Sequence, residues 1–177
     1  NVVGQVAVTQ ALLPLIRQAR GRIVLVGSIN GRLAPPFLAP YSASKHAIEA
    51  VGDSLRVELR PLGVEVSIIE PGAVKTPIWE KARRVGDEAI ASMNDEQRAL
   101  YGARIEDFTR AALSNAERGV APEKVASAVA HALGARRPRT RYLVGPDAHA
   151  PALLRRLVPD RLRDRVVARL IHMNAGS

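Results

Sequence analysis

Tyr41-Ser42-Ala43-Ser44-Lys45 is the stretch on which the reading of this chain turns. Tyr41 and Lys45 are four residues apart, so on a helix both side chains leave one face, a turn from each other. Upstream, Ser28 follows Gly27 and the strand-like run Ile23-Val24-Leu25-Val26. A phenol titrates near pH ~10 and is a poor base at neutral pH unless its phenolate is stabilised. An ammonium one helical turn away supplies that stabilisation, because a nearby opposite charge favours the ionised form. Tyrosine, lysine and a serine at a strand end together make a proton-transfer site. A Y-x-x-x-K alone would be only a helix start with a packed tyrosine.

Outward from this centre the chain alternates helix and strand. Residues 2–19 read as a helix, with Val2, Val3, Val6, Ala7, Ala11, Leu12, Leu15 and Ile16 at three- and four-residue spacing. Pro14 lies inside it and predicts a kink. Ile23–Val26 is short, apolar and β-branched, as in a strand covered on both faces of a parallel sheet. Residues 29–40, with Gly31, Pro35, Pro36 and Pro40, read as a loop, and residues 41–60 as a second helix stopped by Pro61 and Gly63. Ala43, Ala47 and Ala50 give that helix a small-residue face; Ile48, Val51, Leu55 and Leu59 give it an apolar stripe. Val64–Ile69 is the next strand, followed by Glu70-Pro71-Gly72, where glycine permits close backbone approach to a ligand. Residues 77–119 hold polar helical stretches around 88–101 and 104–117. Pro122-Glu123 opens a helix through Leu133, and Arg141–Gly145 reads as the last strand.

Four motifs stand in order: Asn1 opening Asn-Val-Val-Gly; Gly21–Ser28; Tyr41-x-x-x-Lys45; and Pro71-Gly72-Ala73-Val74-Lys75-Thr76 after a strand. With spacings of 27, 13 and 4 residues between Asn1, Ser28, Tyr41 and Lys45, the sequence resembles the short-chain dehydrogenase/reductase family. The motifs run from Asn1 to about Pro77, with a looser likeness to about Gly145, and the members resembled are of the steroid- and retinol-dehydrogenase kind. The resemblance implies a Rossmann-type, doubly wound parallel sheet in three α/β/α layers. It implies an oxidoreductase using NAD or NADP, acting on CH–OH groups of a lipophilic alcohol or ketone, steroid-, retinol- or fatty-acid-like.

Asn1, Ser28, Tyr41 and Lys45 would form the catalytic tetrad. Tyr41 would be the base in alcohol oxidation and the acid in carbonyl reduction. Lys45 would lower the phenol pKa and hold the nicotinamide ribose, Ser28 would donate to the substrate oxygen, and Asn1 would hold a water leading from Lys45 to solvent. Pro71, Gly72, Val74 and Thr76 would face the nicotinamide end of the cofactor. Ile29, Phe37 and Trp79 would line the substrate pocket with Ser28, and residues 77–119 would be a mobile substrate lid. Helices 2–19 and 41–60 would form a homo-oligomer interface. The family's glycine-rich pyrophosphate turn has no counterpart here, since Gly27-Ser-Ile-Asn-Gly31 does not match G-x-G-x-x-G. The expectation is therefore the C-terminal part of one Rossmann domain, residues 1–150, without its N-terminal cofactor-binding half.

Composition narrows the alternatives. The 177 residues are 47% hydrophobic and contain no cysteine, which removes disulfides and thiolate sites. The four histidines (His46, His131, His149 and His172) show no metal-ligand spacing, so no metal is expected. The net charge of +9 invites a nucleic-acid reading, but aromatics are only 3% and leave few stacking platforms. Much of the excess is arginine beyond Arg136, in a tail, residues 151–177, where Leu153, Leu154, Leu157, Leu162 and Val166 alternate with Arg155, Arg156, Arg161, Arg163 and Arg165. Asp160 is placed to cap the second of two short helices there. Such a basic amphipathic tail docks on its own domain or a neighbouring subunit, with an anionic membrane surface as the rival partner. The expected location is cytoplasmic. Two readings compete with the enzyme: an inactive cofactor-less fragment, and a peripheral membrane or polyanion binder.

Overall fold

Short β-branched runs separated by helices can bury both faces of a strand only in a parallel sheet, and that sheet forms. The computed structural model describes residues 1–149 and 158–170. Strands β1 (Arg22–Val26), β2 (Glu65–Pro71) and β3 (Arg141–Val144) lie parallel in the order β1-β2-β3. Their register sets Leu25 beside Ile68 and Ile69 beside Tyr142.

Successive side chains on a strand point to opposite faces, and the two faces carry separate cores. On one, Ile23, Leu25, Val66 and Ile68 pack with Ile48, Val51 and Leu55 of α2 (Ala39–Leu59) and Leu13 and Ile16 of α1 (Val3–Gln18). On the other, Val24, Ile69, Tyr142 and Val144 meet Val125, Ala128, Val129 and Ala132 of α6 (Pro122–Gly134). The steps β1 to β2 and β2 to β3 go the same way across a parallel sheet, yet their connections cover opposite faces. The two crossovers therefore have opposite hands, and one is left-handed, a form seen in only about 2% of such connections.

Several boundaries differ from the sequence reading. Helix α1 continues through Pro14 and contains no fully buried residue, because its apolar positions are split between the sheet and solvent. Helix α2 starts at Ala39, taking Pro40 into its first turn, where a missing N–H costs nothing. Ala43 and Ala50 are exposed; the close approach to the sheet occurs at Gly52, where a Cβ would lie 2.6 Å from Ile68 Cδ1. The loop after β1 begins as a 3-10 turn, Ile29–Gly31.

In the 77–119 region the first helix is α3 (Ile78–Ala91), well ahead of the stretch expected at 88–101. It ends before Asn94, which accepts from Gln97 N–H (2.8 Å) while Gln97 accepts from Asn94 N–H (3.1 Å). This reciprocal capping box starts α4 (Asp95–Gln97) and interrupts the expected helix. A π-helical turn, Arg98–Gly102, then leads into α5 (Ala103–Glu117). The last described helix, α7 (Asp160–Leu170), has Asp160 as its first residue rather than its cap, paired with Arg163 at 2.6 Å. The rest of the expected basic tail lies outside the described residues. Among the described residues no helix is long and apolar enough to cross a membrane.

Candidate active site

The C-terminal ends of β1 and β2 lie side by side, Gly27 N–H donating to Ile69 O at 2.8 Å. Open parallel α/β sheets place their ligand crevice at this edge. Ser28 comes next, nearly buried, its Oγ accepting from Asn30 N–H at 3.2 Å and lying 3.5 Å from Pro71 O. Its hydroxyl thus stands between the 3-10 turn and the segment leaving β2.

The first two turns of α2 carry Tyr41 and Lys45 past the same edge. Lys45 Nζ lies 5.8 Å from the centre of the Tyr41 ring and donates to Val26 O at 3.2 Å. Burial holds the Lys45 ammonium below the ordinary lysine range. Tyr41 is 39% exposed, so its phenol remains open to a ligand. The turn after Ser28 presses on α2 at Gly31, where a Cβ would sit 2.9 Å from Lys45 O. Asn1 reaches the same helix by another route: its Nδ2 donates to Ser44 Oγ at 3.1 Å, and Ser44 Oγ donates to Tyr41 O at 2.7 Å. The structure therefore brings Ser28, Tyr41 and Lys45 to one edge and sets Asn1 against the first turn of α2, with no direct bond to Lys45.

The residues after β2 are fixed through their backbone. Gly72 N–H donates to Val144 O (2.9 Å), Val120 N–H to Ala73 O (3.0 Å) and Lys75 N–H to Val120 O (2.9 Å). Trp79 Nε1 donates to Val74 O at 2.7 Å, so this expected pocket wall also ties α3 to the turn. Pro71, Val74 and Thr76 line an open, apolar groove of about 590 Å³ with Val125, Val129 and Leu133 of α6. Ile29 stays beside Ser28 in the 3-10 turn. Phe37 has φ +63°, a left-handed conformation uncommon outside glycine, and meets Phe108 of α5 edge-on at 5.7 Å.

Beneath the site lies a set of charges that the sequence reading missed. Glu70 is fully buried in β2. Arg32, four residues past Ser28, holds it with Nε on Oε2 and with Nη2 on Oε1 at 2.9 Å. Arg141 Nε lies 3.2 Å from Glu70 Oε1 and 3.1 Å from Glu49 Oε2, while its Nη2 lies 2.5 Å from Asp53 Oδ1. Burial, then the like charge of Glu70, pushes the Glu49 carboxyl up. Burial also works upward on Asp53, but bonds from Arg56 and Arg141 outweigh it and hold that carboxyl down. A carboxylate directly following the apolar run Val66–Ile69 was the available signal, since burying a charge demands partners.

The donors fit the nicotinamide-ribose end of a dinucleotide. Lys45 has one protein acceptor for three N–H groups and lies over the ring of the exposed Tyr41, while Pro71, Val74 and Thr76 of the segment leaving β2 line an apolar groove on the α6 side of the sheet.

Residues 1–86 match the family model of short chain dehydrogenases. The chain is 39% identical to retinol dehydrogenase 5 of Mus musculus, over 100% of this chain and 57% of that protein. It is 36% identical to an NADPH-dependent 3-dehydrocapnine reductase of Ornithobacterium rhinotracheale, over 94% of this chain and 58% of that protein. A short-chain dehydrogenase structure from Streptomyces avermitilis superposes with a TM-score of 0.66 at 25% identity, covering 99% of this chain and 60% of that one. The chain thus spans little more than half the length of the proteins it matches. With its parallel sheet, its Tyr41–Lys45 pair and Ser28 at one sheet edge, the chain belongs to the short-chain dehydrogenase family.

Proposed function

We propose that this chain carries the proton-transfer site of an NAD- or NADP-dependent oxidoreductase that interconverts a lipophilic alcohol and its ketone or aldehyde. The observation that carries the reading is the approach of Lys45 to the exposed Tyr41 at the C-terminal sheet edge that also holds Ser28. In oxidation, Tyr41 as phenolate takes the hydroxyl proton from the substrate; in reduction, the Tyr41 phenol returns a proton to the carbonyl oxygen. The Lys45 ammonium, with one protein acceptor, keeps N–H groups for ribose hydroxyls. Ser28 donates a hydrogen bond to the substrate oxygen as charge develops there. The nicotinamide, when bound, accepts or supplies the hydride. Pro71, Gly72, Val74 and Thr76 would hold the nicotinamide end of the cofactor.

Apolar Ile29, the Phe37–Phe108 pair and Trp79 around this edge support a lipophilic substrate, as does the likeness to a retinol dehydrogenase. The likeness to an NADPH-dependent reductase supports a nicotinamide cofactor. Exposed Val3, Val8, Leu12 and Leu15 on α1 support a homo-oligomer through α1 and α2. Calorimetric titration with NADH and NADPH tests the reading. Saturable binding in the range of about 1 μM to 1 mM is expected for at least one of them; no saturable binding of either contradicts it.

A further inference from the structure

The turn after β2 is gripped from a side that none of the proton-transfer residues occupies. Asp147 stands just beyond β3, in the helical turn that opens at Pro146. Its Oδ2 accepts from Ala73 N–H at 2.6 Å, and Asn115 Nδ2, near the end of α5, lies 3.4 Å from the same oxygen. Oδ1 is buried without a hydrogen-bond partner. Two glycines make room for the carboxylate. A Cβ on Gly72 would collide with it, and one on Gly145, whose φ is +107°, would lie 2.6 Å from Oδ1. One side chain thus fills the space left by a glycine in the turn and a glycine ending β3, and bonds the residue between Gly72 and Val74. The same carboxylate touches the last helix of the 77–119 region.

We propose that Asp147 is the positioning residue of the segment Pro71–Thr76. By fixing the Ala73 amide it sets the wall that the nicotinamide meets, and through Asn115 it links that wall to α5. The inference rests on the nicotinamide reading above. Asp147 itself touches no reacting atom; it acts through the backbone of Gly72 and Ala73. An amide in its place keeps an oxygen for Ala73 N–H, whereas a methyl group keeps none.

The test compares wild type, Asp147→Ala and Asp147→Asn in two measurements: calorimetric affinity for NADH and NADPH, and hydrogen exchange at the Ala73 amide. Asp147→Ala is expected to weaken nucleotide binding about tenfold, the loss of one charge-assisted hydrogen bond, and to speed Ala73 exchange. Asp147→Asn is expected to restore both to within about threefold of wild type. A merely structural role would lower the stability of both variants without separating them in affinity. Asp147→Ala binding within about twofold of wild type, with Ala73 still protected, overturns the inference. So does Asp147→Asn as weak as Asp147→Ala. Should Asp147→Ala fail to fold, Asp147→Asn with unprotected Ala73 and binding still within about twofold of wild type overturns it equally. A wild type that binds neither nucleotide while Ala73 stays protected sinks the functional reading instead.

Discussion

Glu70, held by the partly exposed Arg32 and Arg141, is sealed in β2, whereas Arg83–Asp87, Arg84–Glu88 and Arg110–Asp107 lie on the outer faces of α3 and α5. The chemistry is the same, arginine on carboxylate. Glu70 is 0% exposed, while both members of the Arg83 and Arg84 pairs are at least 60% exposed. Buried charges without their partners have no solvent to turn to, so the inner network fixes relative positions rigidly. It joins the turn after Ser28, the strand before Pro71–Gly72 and, through Glu49, the helix of Tyr41 and Lys45. The outer pairs are screened by water and fix little. Helix α3 has no buried residue and α5 has only Ala116. The frame under the site is rigid, and the region over it is lightly held, through Phe37–Phe108, Trp79–Val74 and Asn115–Asp147. Light packing of this kind marks elements that open locally.

That contrast breaks most visibly at Glu70. Glu70→Ala removes the one fully buried member of the inner network and is expected to destabilise by about 1–3 kcal/mol in chemical denaturation. A loss below about 1 kcal/mol would mean the inner network is no stronger than the outer pairs.

A weaker effect is expected from Lys45 as a function of pH. Burial lowers its folded-state pKa, so between that value and the ordinary lysine value near ~10.4 the unfolded chain binds more protons. Stability attributable to Lys45 therefore rises with pH through this window, and Lys45→Met removes the rise. Denaturation curves for both proteins across alkaline pH check it; parallel profiles would refute it.

The smallest effect belongs to α3. Arg84→Ala, which removes a 3.8 Å pair at the surface, is expected to change stability by less than about 0.5 kcal/mol. A larger loss would show that α3 is held more firmly than its packing implies.

The same contrast explains what could be read in the sequence. Tyr41 and Lys45 were legible because helical spacing alone brings them together, and the strands because short β-branched runs have few other uses. The inner network was not. Glu70 meets Arg32 across 38 residues and Arg141 lies still further along the chain, so partner choice depends on sheet order rather than local pattern. Asp147 reaches Ala73 across 74 residues and was invisible for the same reason. The break at Asn94 was readable, since Asn94 and Gln97 have capping-box spacing, but the polar composition of residues 88–101 masked it. Gly52 carries no pattern of its own; its role as the contact with Ile68 emerges only once α2 lies on the sheet.

The central claim is that Tyr41 moves the proton, and Tyr41→Phe tests it most directly. Rates of NAD(P)-linked oxidation of retinol and of a hydroxysteroid would be measured beside nucleotide affinity. The expected result is a rate lower by about 10²–10⁴-fold with nucleotide affinity nearly unchanged, because only the proton acceptor is lost. A Tyr41→Phe protein that keeps its rate to within about threefold while binding nucleotide normally would contradict the account.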